Sequence, residues 1–143
     1  MTPNADQAHS EPLLTWPDMM DRIRELLAPA INPGQLWVLL LDSLRRQLPL
    51  MVPIDGCPAR PTPDMADQLA AMLTGLLTDI DHGPASVIFV RERLGSDDVT
   101  DDDRCWAASL SDACREHDIG VTGIFLLTPN RIRPLSARGQ RDG

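Results

Sequence analysis

Six apolar residues in an unbroken row, Leu36-Trp37-Val38-Leu39-Leu40-Leu41, constrain this chain more than any other feature. No longer apolar run exists in the sequence, and a membrane-spanning helix needs roughly 20 such residues. Bounded by Asn32-Pro33-Gly34 on one side and Asp42-Ser43 on the other, the run predicts a strand buried on both faces. Ser86-Val87-Ile88-Phe89-Val90 predicts a second buried strand, rich in β-favouring side chains.

Helical periodicity fills the intervals. Thr15, Pro17 and Asp18 mark a helix start, and Met20, Ile23, Leu27 and Ile31 form its apolar stripe. A second helix opens at Thr62-Pro63-Asp64. Its stripe is Met65, Leu69, Met72, Leu73, Leu76, Leu77 and Ile80, and Asp81-His82-Gly83-Pro84 ends it. A third runs from Thr100 to about His117, with Gly120 placed to close it. Leu48 to Ile54 returns from the first strand as a hairpin. Pro49 and Pro53 put it at a sheet edge or in a bulge, since proline donates no ladder hydrogen bond. Val121 to Leu127 and Ile132 to Leu135 complete the strands. The order α-ββ-α-β-α-ββ predicts an α/β fold with a mixed sheet of about five strands and three helices. Parallel pairing is expected where a helix joins two strands. At 143 residues one domain is expected, spanning 14–136 between flexible tails at 1–13 and 137–143.

Composition narrows the function. The net charge is −8, and the thirteen basic residues are all arginine. Direct nucleic-acid binding is not expected, because phosphate affinity needs clustered positive charge; a basic protein partner suits the balance. The absence of an apolar stretch near Met1 argues against a signal peptide. Cys57, Cys105 and Cys114 are odd in number and widely spaced, which fits reduced cytoplasmic thiols; the arginine-only basic residues, with many Ala, Asp and Pro, suggest a GC-rich bacterial genome.

Two polar clusters are candidate chemistry. Arg91 and Arg93 lie at the end of a buried strand, where open α/β sheets place ligands, and point the same way. Together they form a candidate anion clamp, or they pair with the acids that follow. Asp97, Asp98, Asp101, Asp102 and Asp103 put five carboxylates within seven residues. Oxygen ligands suit magnesium or calcium, and Asp97, Asp101 and Asp103 would be the ligands. Thr100-Asp101-Asp102-Asp103 also has the form of a helix cap and first turn, and successive helical residues splay too far to share one ion. The histidines His9, His82 and His117 have no metal-ligand spacing.

The segment from Gln35 to Leu135 resembles the JAB/MPN domain in the form that ends RadC-like proteins. The resemblance rests on Leu36 to Asp42 as a strand ending in aspartate, and on Val87-Ile88-Phe89-Val90 running into Arg91-Glu92-Arg93-Leu94-Gly95-Ser96-Asp97. It continues through Thr100 as the cap of an acidic helix and Asp118-Ile119-Gly120-Val121 as the closing phrase. The family's two zinc-binding histidines fall on Arg91 and Arg93, which cannot ligate a metal. Its aspartate ligand falls near Asp103 after a one-residue deletion, and its glutamate has no counterpart. The resemblance therefore implies a degenerate, metal-less member. The leading expectation is a non-catalytic interaction module acting on a protein partner or as a homodimer, with no cofactor and no membrane contact. One alternative is a small-anion binding or sensing domain using Arg91 and Arg93. Another is a weak divalent-metal enzyme built on the 97–103 cluster.

Overall fold

The computed structural model describes residues 12–13, 15–42, 44–78 and 86–135. Residues 1–11 of the expected N-terminal tail, the whole expected C-terminal tail at 137–143, the turn at 81–84, Ile80, His9 and His82 lie outside the described residues. The elements are α1 (Trp16–Leu27), β1 (Gln35–Leu41), β2 (Gln47–Asp55), α2 (Pro63–Thr78), β3 (Ser86–Glu92), α3 (Asp101–Glu116), β4 (Val121–Leu127) and β5 (Ile132–Leu135). They form one sheet of five strands in the order β2-β1-β3-β4-β5. The class is α/β, and the sheet is mixed.

The two apolar runs become β1 and β3, side by side in the sheet and antiparallel. Alternation along each strand feeds two cores. Leu36, Val38 and Leu40, with Val87 and Phe89, face α2 and α3. Leu39 and Leu41, with Ile88 and Val90, face α1. Each such fully buried side chain contributes about 1.5–3 kcal/mol through removal from water. Gly123 of β4 lets α1 come close, because a Cβ there would sit 2.7 Å from the Phe125 ring and 3.3 Å from the Met19 sulfur. Among the described residues, no helix is long and apolar enough to cross a membrane.

Several sequence expectations need correction. Helix α2 joins β2 to β3, but β1 lies between them; only α3 joins neighbouring parallel strands. The physical reason is that β1 is apolar on both faces and takes an interior place. Strand β2 is left at the edge, where its register against β1 slips between Leu39 and Leu41, opposite Pro49. The buried stripe of α1 centres on Met19 and Ile23 rather than Met20, and it includes Arg22, which donates to Gln47 Oε1 at 2.7 Å. Ile31 lies beyond the helix and is 73% exposed, and Met72 of α2 is also exposed. Pro12 pairs with Arg46, and Leu13 is buried with its amide on the Arg45 carbonyl.

The end of α3 also differs. Asp118, not Gly120, adopts the left-handed conformation, with φ 58°. The Ile119 amide reaches the Cys114 carbonyl at 2.8 Å and the Asp118 amide reaches that of Arg115 at 3.2 Å, the pair of bonds that defines a Schellman cap. Ile119 and Cys114 supply its buried apolar contact. Aspartate is strained at positive φ and places a negative charge at the negative end of the helix dipole. Both effects have one sign. Asp118→Gly is therefore expected to stabilise the protein by about 0.5–1 kcal/mol, read as a higher urea midpoint at unchanged slope; a lower midpoint would refute the cap assignment.

Candidate functional site

The end of strand β3 and the residue after it, Arg91, Glu92 and Arg93, are three consecutive charged residues, and all three are buried. Pleating sends Arg91 and Arg93 towards α3 and Glu92 to the opposite face. Helix α3 begins above the arginines because Thr100 and Asp103 form a capping box. The Thr100 hydroxyl accepts from the Asp103 amide at 3.2 Å, and Asp103 Oδ2 accepts from the Thr100 amide at 2.9 Å.

Asp103, with 0% of its surface exposed, is where the two elements meet. Its Oδ1 accepts from Arg91 Nε at 2.8 Å and Arg93 Nε at 2.9 Å, and its Oδ2 accepts from Arg93 Nη2 at 2.8 Å. Arg93 Nη1 also donates to the carbonyls of Leu94 and Ser96, and Nη2 to that of Asp98. A guanidinium has five N–H donors, and all five of Arg93 are used. Arg91 Nη2 donates to the Ala59 carbonyl at 3.1 Å, and its guanidinium lies 5.5 Å from the Trp106 ring centroid. Trp106 Nε1 in turn donates to the Pro58 and Ala59 carbonyls. Burial pushes the Asp103 carboxyl up, but the hydrogen bonds from Arg93, Arg91 and the Thr100 amide outweigh it, holding the pKa far below the usual carboxylate range. The same contact with Asp103 raises Arg93.

The remaining acids of the cluster go elsewhere. Asp97 accepts from the Thr128 hydroxyl at 2.6 Å and also bonds Asn130, which holds its pKa down. Asp101 pairs with Arg104 and Asp102 with Arg60. Asp98 meets Arg93 through its carbonyl rather than its carboxylate. The candidate ligands Asp97, Asp101 and Asp103 thus serve three separate sets of partners. Among the described residues, no three His, Cys, Asp or Glu side chains converge as a metal site.

On the opposite face Glu92 has neutral donors only. Its carboxylate accepts from the Ile31 and Asn32 amides at 2.7 and 2.9 Å, and from Asn32 Nδ2 and Trp37 Nε1 at 2.9 Å each. Burial pushes its pKa up, and these four bonds more than reverse that. Burial raises the pKa of the Cys57 thiol, and raises that of Cys114 to about 11. His117 Nε2 lies 2.9 Å from Asp67 Oδ1, joining the end of α3 to α2.

Two open clefts flank this end of the sheet. One, of about 320 Å³, lies between the end of α1 and the β4–β5 turn and is lined by Arg24, Pro29, Leu127, Asn130, Arg131 and Ile132, among others. The other, of about 460 Å³, runs along 32–35 and 55–57. Sequence reasoning placed Arg91 and Arg93 together correctly, but it missed Glu92 and the first cleft. The cleft's residues come from two segments far apart in the chain, 24–29 and 127–132, with no local motif, whereas an acid next to two arginines on a buried strand was a visible sign for Glu92. Compared with known proteins, the sequence matches no family model and no curated relative.

Asp103→Asn leaves two buried guanidinium groups without a counter-charge and is expected to cost about 3–5 kcal/mol. Because the folded-state pKa is lowered, the stability from Asp103 is complete above the unfolded value near 4 and is lost as pH falls below it. Denaturant unfolding from about pH 5 down to pH 2 should therefore show a shallower acid loss in Asp103→Asn than in the parent. Equal slopes would mean that the carboxylate is not the acid-sensitive group.

Proposed function

We propose that this chain is a non-catalytic interaction module that receives a basic protein surface on the layer formed by α2 and α3. The observation that carries this reading is the charge of that layer. Helix α2 has Asp64 and Asp67 in its sequence and no basic residue. Helix α3 and its cap add Asp112, Glu116 and Asp118. Arg104 and Arg115 are each paired to an aspartate one turn earlier, at 3.1 and 2.7 Å. Among the described residues, Asp64, Glu116 and Asp118 have no cationic partner. Such a face attracts a basic surface and repels a second copy of itself, which favours a heterologous partner over a homodimer.

The internal bonding of the polar groups at the sheet end supports the same reading. The guanidinium of Arg93 has no donor left for a ligand, which weakens the alternative of an anion clamp built on Arg91 and Arg93. A metal-less derivative of the JAB/MPN domain would suit the role as well.

The chain contains no lysine, and this gives a clean test. Carbodiimide joins carboxylates to amines, so cross-links from internal positions of this protein to a lysine identify a partner's side chain. In extracts of producing cells, adducts are expected at Asp64, Asp67, Asp112 and Glu116, with the purified chain monomeric by light scattering. Adducts confined to α1, or a stable homodimer, would overturn the proposal.

A further inference from the structure

We propose that the cleft between the end of α1 and the β4–β5 turn binds a small monocarboxylate carrying a short aliphatic group. It opens beside the C-terminal end of β4, a strand parallel to its neighbour β3, the position at which open α/β sheets hold ligands. Its volume, about 320 Å³, lies at the small end of ligand sites. This site is independent of the α2–α3 face.

The lining is divided. Pro29, Leu127 and Ile132 provide an apolar wall, while Arg24 and Arg131 provide donors. No hydrogen bond or ion pair from the Arg131 guanidinium occurs among the described residues. Arg24 shares one Nη with Asp21 at 2.9 Å, with both side chains well exposed. Such surface pairs are worth no more than about 1 kcal/mol, so a ligand can compete for Arg24. The guanidinium fork matches a carboxylate in shape and charge.

The turn that presents these donors is already fixed. The Asp97 carboxylate holds the Thr128 hydroxyl at 2.6 Å and bonds Asn130, and the Thr128 amide donates to the Arg131 carbonyl at 2.9 Å. A fixed turn spares a ligand part of the ordering cost. Asp97 is thus a positioning residue, and the first acid of the sequence cluster finds its role here. Asp97 and Asp21 also offset part of the charge of the two arginines. A single negative charge therefore suits the cleft better than a phosphate dianion, and the apolar wall asks for an aliphatic group.

Amide-shift titration of the full chain with butyrate, butyramide and inorganic phosphate tests this. Saturable shifts with butyrate are expected, centred on Leu127 to Ile132. Butyramide should bind roughly tenfold or more weakly, phosphate no more tightly than butyrate, and Arg131→Gln and Arg24→Gln should each lose roughly tenfold in affinity. Both arginines are exposed, so the variants should melt near the parent, and each serves as a check on the other. No saturation with butyrate, an equal response to butyramide, tighter binding of phosphate, or undiminished binding in both variants would overturn the proposal.

Discussion

One carboxylate organises the end of the sheet. Asp103 closes the first turn of α3 and receives the guanidinium groups of Arg91 and Arg93, so the helix start and the strand end are joined through a single buried side chain. Taking these ions out of water costs several kcal/mol each, which the geometry recovers only when every donor and acceptor is satisfied. Carbonyls at Leu94, Ser96 and Asp98 take the Arg93 donors that Asp103 does not, and the Ala59 carbonyl takes one from Arg91. Two connecting loops are thereby held in shape with little apolar burial of their own.

Across the sheet, Glu92 fastens the segment after α1 by a different electrostatic solution. Among the described residues it has no cationic partner, and four neutral N–H groups supply what a counter-ion would. Neighbouring residues of one strand therefore anchor opposite layers, one with charged donors and one with dipoles. The lowered pKa of each carboxyl reflects the same balance, in which hydrogen bonding to the ionised form outweighs desolvation.

Much of this architecture was legible in the sequence. The doubly buried strands announced themselves as unbroken apolar runs, the Thr15 and Thr100 caps as short polar signatures, and the edge position of β2 as its prolines. These signals are local, and local chemistry decides them. The place of β1 between β2 and β3 was not legible, because strand neighbours are chosen by long-range packing that no window of sequence contains. The same holds for Asp97, whose partners Thr128 and Asn130 lie some thirty residues away. Arg91 and Arg93 were legible as a pair sharing one face, within reach of the acids that follow. That a single acid, Asp103, would serve both arginines could be seen only once α3 was in place. Asp118 misled because glycine, two residues on, is the commoner residue in the left-handed position.

The prolines at the margins of the sheet carry a further consequence. Both outermost strands contain them, Pro49 and Pro53 in β2 and Pro134 in β5. An open strand normally offers a ladder of backbone donors and acceptors on which another chain can crystallise as a cross-β stack. Here the ladder is interrupted on both sides, and β5 is only four residues long. A protein whose interior strands are as hydrophobic as β1 and β3 would otherwise be a ready seed for fibrils. Prolines in both rims lower that tendency, because they remove donors that an added strand would need.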